Sequence, residues 1–383
     1  MQKFEKHSPV VVTEVTTKHE LRQFMQYPNR LYADNPNYIP SFYGDDLSDW
    51  TPGKNPAFDY CEARCWLAWR DGEIVGRIGA ILSHKANDKF GTHRMRFSQV
   101  DFVDDSEVSA ALFGTVERWA REKGCDQVHG PLGFTDMDRE GMLVEGFDRR
   151  SLFFTNYNAP YYLEHLTRLG YRKDVDWIEY RITVPAPGST EAERLHKLSE
   201  FILKRKHLHV ATVHHKSEYG PFVRQVFELV NAAYAPLYGV VELSDEQIER
   251  YANKFIPLVD PDFVCFVVDE QDQLVAFGVT ALDPSVALKH SDGRLFPFGW
   301  AGVLNDLHHS DTLIMLLTAV RPDLQTEGIN AVMMDHVCQS CNRHGVRFAE
   351  TGPMLELNDH ILAQWKRLEK EQHKRRRCFI KKL

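Results

Sequence analysis

The stretch LIMLLTAVRPDLQTEGINA, running from Leu313 to Ala331, decides the fold. An apolar run of strand length ends at Val320, and Pro322 stops the strand because it offers no backbone N–H to a ladder. Gln325, Thr326, Glu327, Gly328, Ile329 and Asn330 then lead into a helical pattern that opens Ala331-Val332-Met333-Met334. A strand handed to a helix through a glycine-bearing loop presents free amides at the helix N-terminus. With the helix dipole, these amides make a site for a phosphate or pyrophosphate. Gly328 allows the ligand to reach the backbone.

Around this stretch the chain repeats one layout. Trp66–Trp69, a turn at Asp71-Gly72 and Ile74–Leu82 read as a hairpin; Phe263–Val268, a turn at 270–272 and Leu274–Leu282 read as another. A further strand follows in each half (Arg96–Val103; Leu313–Val320), then an amphipathic helix (Val108–Lys123; Ile329–Arg343). Gly124 and Gly345 close those helices. A short strand (Gln127–Gly130; Val346–Thr351), another helix (Tyr161–Leu169; Asp359–Lys370) and a closing strand (Trp177–Val184; Arg377–Lys382) complete each half. Pro185-Ala186-Pro187-Gly188-Ser189-Thr190 is a linker by composition. The expectation is an α/β protein of two tandem domains, 1–185 and 191–383, joined by the linker 185–190. Each has a mixed, mostly antiparallel sheet with a central parallel strand pair and flanking helices.

Composition sets the outer limits. A chain of 383 residues suits two domains, and 43% apolar residues give each a core of its own. A net charge of −8 argues against nucleic acid as a partner. The start lacks the apolar segment of a signal peptide, and no apolar run approaches the ~20 residues that span a bilayer. A cytoplasmic protein is expected. Its 7 cysteines form no disulfide framework, and Cys338-x-x-Cys341 lacks a second ligand pair at zinc spacing, so no metal is expected.

The segment Val320–Ala331 resembles the coenzyme A loop of the GNAT superfamily of N-acyltransferases, through Val320, Pro322, Gln325 and Gly328; Asn330 departs from the family's second small residue. The layout of nearly the whole chain resembles a tandem GNAT protein. Leu31–Pro40, Leu67–Ile78 and Tyr157–Tyr162 are similar to segments of bacterial tandem-GNAT proteins. The resemblance implies transfer of an acyl group from acetyl-coenzyme A, or a longer acyl-coenzyme A, directly to the primary amine of a small molecule or lipid. A sphingoid-base-like amine is one such acceptor, and a non-catalytic acyl-coenzyme A binding protein is the alternative. The resemblance also implies a strand bulge freeing an amide at Ala319 or Val320 for the thioester carbonyl, with Gln325, Thr326, Glu327, Gly328, Ile329, Asn330 and Ala331 around the pyrophosphate.

For the base, Val346, Phe348 and Glu350 alternate onto one strand face, which sets Glu350 beside apolar residues; Glu356 is the second candidate. Asn358 matches the asparagine that opens the family's last helix, and serves equally as an N-cap. Trp365 stands where the family often has a tyrosine acid, so an acid must come from elsewhere. Tyr157, Tyr161 and Tyr162 are the candidates, as substrate-pocket residues or as packed aromatics. In the first half, Asp104, Asp105 and Glu107 follow the central strand; such a turn repels pyrophosphate and suits helix capping. The basic stretch from Lys366 to Arg377 is read as a solvated face, with a coenzyme A phosphate or an anionic membrane surface as its functional alternatives.

Overall fold

The computed structural model describes residues 8–383. They form two compact units. The first holds the described residues up to Asp176 together with Leu288–Pro297 and Arg376–Leu383; the second holds Trp177–Ala287 and Phe298–Arg375.

The first unit carries antiparallel strands Val11–Glu14, Cys61–Arg70, Glu73–Ser83 and Arg94–Phe102. Gln127–Gly130 then pairs parallel to the last of these, and the chain's end runs antiparallel to it, Phe379 opposite Gly130. The helix Ser106–Glu122 covers this sheet with Val108, Leu112, Phe113, Val116 and Trp119, which meet Phe97, Phe102 and Tyr162 in the core. Gly124 closes that helix at φ 75°, a left-handed conformation glycine tolerates best.

The second unit repeats the plan. His209–Val210, Val264–Val268, Leu274–Leu282 and Thr312–Val320 are antiparallel, and Phe348–Glu350 pairs parallel to the last. The sheet closes on Arg172–Thr183, whose Thr183 lies opposite Phe348. The helix Asn330–His344 packs on the sheet and against the helix Thr190–Lys206, and Gly345 ends it at φ 72°. Mixed α/β architecture, with a central parallel pair in each unit, is thus what the chain adopts.

Two expectations change. The closing strands are exchanged: Trp177–Thr183 lies in the second unit and Arg376–Lys382 in the first. The last helix is also short, Asp359–Ala363, because Lys370–Lys382 is one long strand. Its charged residues favour helix locally, but ion pairs with distant carboxylates hold them extended. Lys374 Nζ lies 3.3 Å from Glu179 and 3.2 Å from Glu350, and Arg375 Nη1 lies 2.9 Å from Glu356. In the first unit Arg377 takes Asp176 in a two-pronged pair at 2.7 and 2.9 Å, and Arg376 donates to the Asn156 carbonyl. Lys366 and Arg367 are exposed as a solvated face would be, but the later part of the stretch is not: Lys374 and Arg376 are among the most deeply buried side chains of the protein.

Candidate functional site

The parallel pairing of the second unit lasts for three residue pairs, Thr312–Phe348, Leu313–Ala349 and Ile314–Glu350. Beyond Ile314 the strands part. On its other edge the central strand stays paired with Leu274–Leu282, but the register slips where Val279 faces Leu317 and Thr280 faces Met315, leaving Leu316 as a bulge. The bulge thus lies earlier in the strand than Ala319 and Val320, which sit in regular register opposite Phe277 and Ala276. Met315, Leu316, Leu317 and Thr318 are only half-buried although they lie on a central strand.

Under that exposed segment lies an apolar cavity enclosing about 750 Å³ of space outside the protein atoms, part of it open to solvent. Met315, Leu317 and Thr318 form its floor, and Asn330, Met333, Met334 and Val337 of the following helix form its roof. Trp365, Ala349 and Ile182 stand along the side. Met315 and Trp365 line the space rather than plug it, and Trp365 is fixed by its indole N–H donating to Met354 Sδ at 3.2 Å.

The loop expected to hold pyrophosphate sits at the cavity's Asn330 end. Pro322–Leu324 makes a short 3₁₀ turn, and the helix starts at Asn330. Gly328 has φ 81°, and a Cβ there would meet Ile202 Cδ1 at 3.1 Å, so backbone and packing both select glycine. Within the loop, Leu324 and Glu327 amides bond to Arg321 and Leu324 carbonyls, whereas those of Thr326, Gly328 and Ile329 find no acceptor among the described residues. Gln325 reaches back to the Val320 carbonyl at 3.4 Å. Lys206 pairs with Glu327 at 2.7 Å, which pulls the Glu327 carboxyl below its usual pKa and places a cationic helix end beside the loop. Arrayed amides, a helix N-terminus and nearby lysine fit a pyrophosphate with an elongated apolar arm.

Of the other expected residues, Glu350 borders this region without lining the cavity: its carboxylate shares the Lys374 ammonium with fully buried Glu179, and His373 Nε2 lies 3.9 Å away. Glu356 is held by Arg375. Asn358 caps the short helix, accepting from the Ile361 amide at 3.3 Å. Cys338 and Cys341 are free thiols along the cavity wall.

Tyr157, Tyr161 and Tyr162 all lie in the first unit. Asn35 donates to the Tyr157 hydroxyl at 2.6 Å, Tyr161 donates to the Phe102 carbonyl, and the Tyr162 and Tyr32 hydroxyls are 2.7 Å apart. Burial pushes each of the three phenols above its ordinary pKa. Tyr161 and Tyr162 pack against Phe102 with satisfied hydroxyls, whereas Tyr157 lines a polar cavity together with Arg77, Asp101, Arg139 and Asn158.

Sequence reasoning passed over Tyr234. It ends the helix Gly220–Tyr234 and donates to the Thr318 carbonyl at 2.7 Å, on the exposed part of the central strand. Its surroundings, Ala-Ala-Tyr-Ala-Pro, read as an ordinary helix end and carry no signal of this placement. Among the described residues, His129, Asp174 and Cys378 of the first unit bring ligand-type atoms within 4.8 Å of one another.

No family model matches the chain. It is 27% identical over 379 residues to Protein YghO of Escherichia coli (strain K12), covering 97% of this chain and 95% of that protein. It is 28% identical over 299 residues to the bacterial ceramide synthase of Caulobacter vibrioides (strain NA1000 / CB15N), covering 76% and 75%. Among solved structures it matches a tandem GNAT protein from the clavulanic acid biosynthesis pathway, with TM-score 0.55, 13% identity and coverage of 97% and 98%. A GCN5-related N-acetyltransferase from Sphaerobacter thermophilus matches with TM-score 0.52, 13% identity and coverage of 97% and 95%.

Proposed function

From the premise that this chain has the tandem GNAT fold, we propose that it is an acyl-coenzyme A-dependent N-acyltransferase whose second unit holds the cofactor. The observation that carries this reading is the half-exposed segment Met315–Thr318, without a partner strand on one edge and floored onto an apolar cavity that begins at the glycine loop. A central strand left uncovered is costly unless a ligand covers it. The ceramide synthase relative supports a lipid amine as acceptor.

Bound acyl-coenzyme A supplies an activated thioester. The amides of Thr326, Gly328 and Ile329 hold its pyrophosphate, and the cavity takes its arm. Met315–Thr318 then positions the carbonyl, with the bulge at Leu316 turning backbone donors toward it. The amine attacks directly: an N–C bond forms, the C–S bond breaks, the amine gives up a proton and the thiol leaves protonated. Glu350 is the proton acceptor we favour. It adjoins Ala349 of the cavity wall and accepts from the Lys374 ammonium at 3.2 Å. Tyr234 takes the place of the missing tyrosine as the acid.

Thiol release from acetyl- and palmitoyl-coenzyme A with a panel of primary amines tests the reaction. Transfer with any amine supports it. Binding of coenzyme A without thiol release across the panel would establish the binding-protein alternative instead. Tyr234→Phe is expected to lower kcat about a hundredfold with little change in KM; an unchanged kcat removes Tyr234 from the mechanism.

A further inference from the structure

We infer that the second unit grips its acceptor by a hydrocarbon tail, in a second apolar cavity across the central strand from the first. This inference rests on the acyl-transfer reading. The cavity takes in about 570 Å³ of space outside the protein atoms, part of it open to solvent, and its exposed wall is apolar throughout. It lies between the central strands and the helices Gly220–Tyr234 and Asp245–Phe255, with Val226, Phe227, Ala252 and Phe255 above Leu316.

Three observations select the ligand. Strand alternation sends Met315 into the first cavity and Leu316 into the second, while Val279 and Leu317 border both. Both spaces therefore border the bulge, where the reacting carbonyl is placed. The glycine loop opens at Asn330 into the first cavity only, which assigns that one to the thioester arm and leaves the second for the other reactant. Finally, a cavity without polar partners does not hold water well, so its natural occupant is a chain of methylenes. Val223, Phe255 and Ile256 are half-buried at its margin, so the space is not sealed within the core. An alkyl amine with its nitrogen at the bulge and its tail under Ala252 satisfies all three.

The experiment uses the full chain with straight-chain primary amines from butylamine to hexadecylamine, each below its micelle concentration. Thiol release gives kcat/KM, and displacement of a fluorescent fatty amine gives affinity independently of turnover. Affinity and kcat/KM are expected to rise about fourfold per added methylene until the cavity is full, then level. Ala252→Phe, which fills the space, is expected to abolish the rise while leaving coenzyme A affinity unchanged. Val223→Phe, at the half-buried margin, repeats the test with less demand on the core. A flat series, or an unaltered rise in both folded variants, overturns the inference. Thiol release with a flat series leaves acyl transfer standing without the tail site. Tail binding that Ala252→Phe abolishes, with no thiol release from any amine, leaves the site standing and removes the reaction.

Discussion

Each unit hands its central strand to a helix, and the two do it with opposite chemistry. In the first, Asp105 accepts from the Glu107 and Val108 amides at 2.8 and 3.3 Å, while Arg70 pairs with Asp105 and Glu107. Donors that would meet a phosphate are already satisfied, by a side chain carrying the phosphate's own sign. In the second, the helix starts behind Gly328 with amides unclaimed.

The strand splay differs in the same sense. Both parallel pairings last three residues, Arg94–Arg96 with Gln127–His129 and Thr312–Ile314 with Phe348–Glu350. The first unit also has a register shift, with Gln99 at φ 46°. There, however, Met95–Ser98 and Val100–Phe102 are buried, and the Arg77–Asp101 ion pair at 2.7 Å lies inside. One framework thus yields a polar, ion-paired interior, whose cavity is lined by Arg77, Asp101 and Arg139, or an open apolar cavity.

The largest expected effect breaks the ion-paired half. Arg77→Met strands the Asp101 carboxylate, whose pKa burial already raises against the opposing pull of Arg77. Denaturant unfolding should show a loss of about 3–5 kcal/mol, and adding Asp101→Leu should recover most of it. A loss below about 1 kcal/mol would show that the pair does not hold that interior.

His129 occupies the register position that Glu350 holds in the second unit. Burial, with Arg96 and Arg94 nearby, lowers its pKa from 6.5 to about 4. The folded protein therefore refuses a proton that the unfolded chain accepts. Stability from this site is full above about pH 6.5 and is lost as pH falls toward 4, by up to about 3 kcal/mol. Melting wild type and His129→Gln across that window checks it: the variant should show a shallower decline, and parallel curves would rule the effect out.

Gly328→Val converts the open turn toward the closed one. Forcing φ 81° on a branched residue costs about 1–3 kcal/mol of stability, and coenzyme A affinity should fall about a hundredfold by calorimetry. Retained affinity would remove the loop as the pyrophosphate site. The smallest effect is Asp105→Ala, which removes a cap worth about 1 kcal/mol and should leave coenzyme A affinity untouched; a change in affinity would mean the first turn is not simply a cap.

Much of this contrast was legible in residue types. Pro322 and Gly328 mark the loop, Asp104-Asp105-Ser106-Glu107 marks the cap, and strand and helix periodicities outline both units. The placement of Asn358 as a cap and of Gly124 as a helix end also follows from local chemistry. The bulge at Leu316 was not legible, since an unbroken apolar run gives no sign of where the register slips. Nor was Tyr234, which approaches Thr318 from a different helix. Lys374–Arg377 misled for the same reason: these charges look solvated until Glu179 and Glu350 are brought to Lys374.

The sequence by itself determined the local hand-overs, because proline, glycine and capping aspartate act within a few residues of where they stand. Only the tertiary structure decided which strand closes each sheet, how far each parallel pair runs and whether the gap beyond it is filled. Those outcomes depend on partners far away in the chain, and on ion pairs and cavities that exist only once the partners have met.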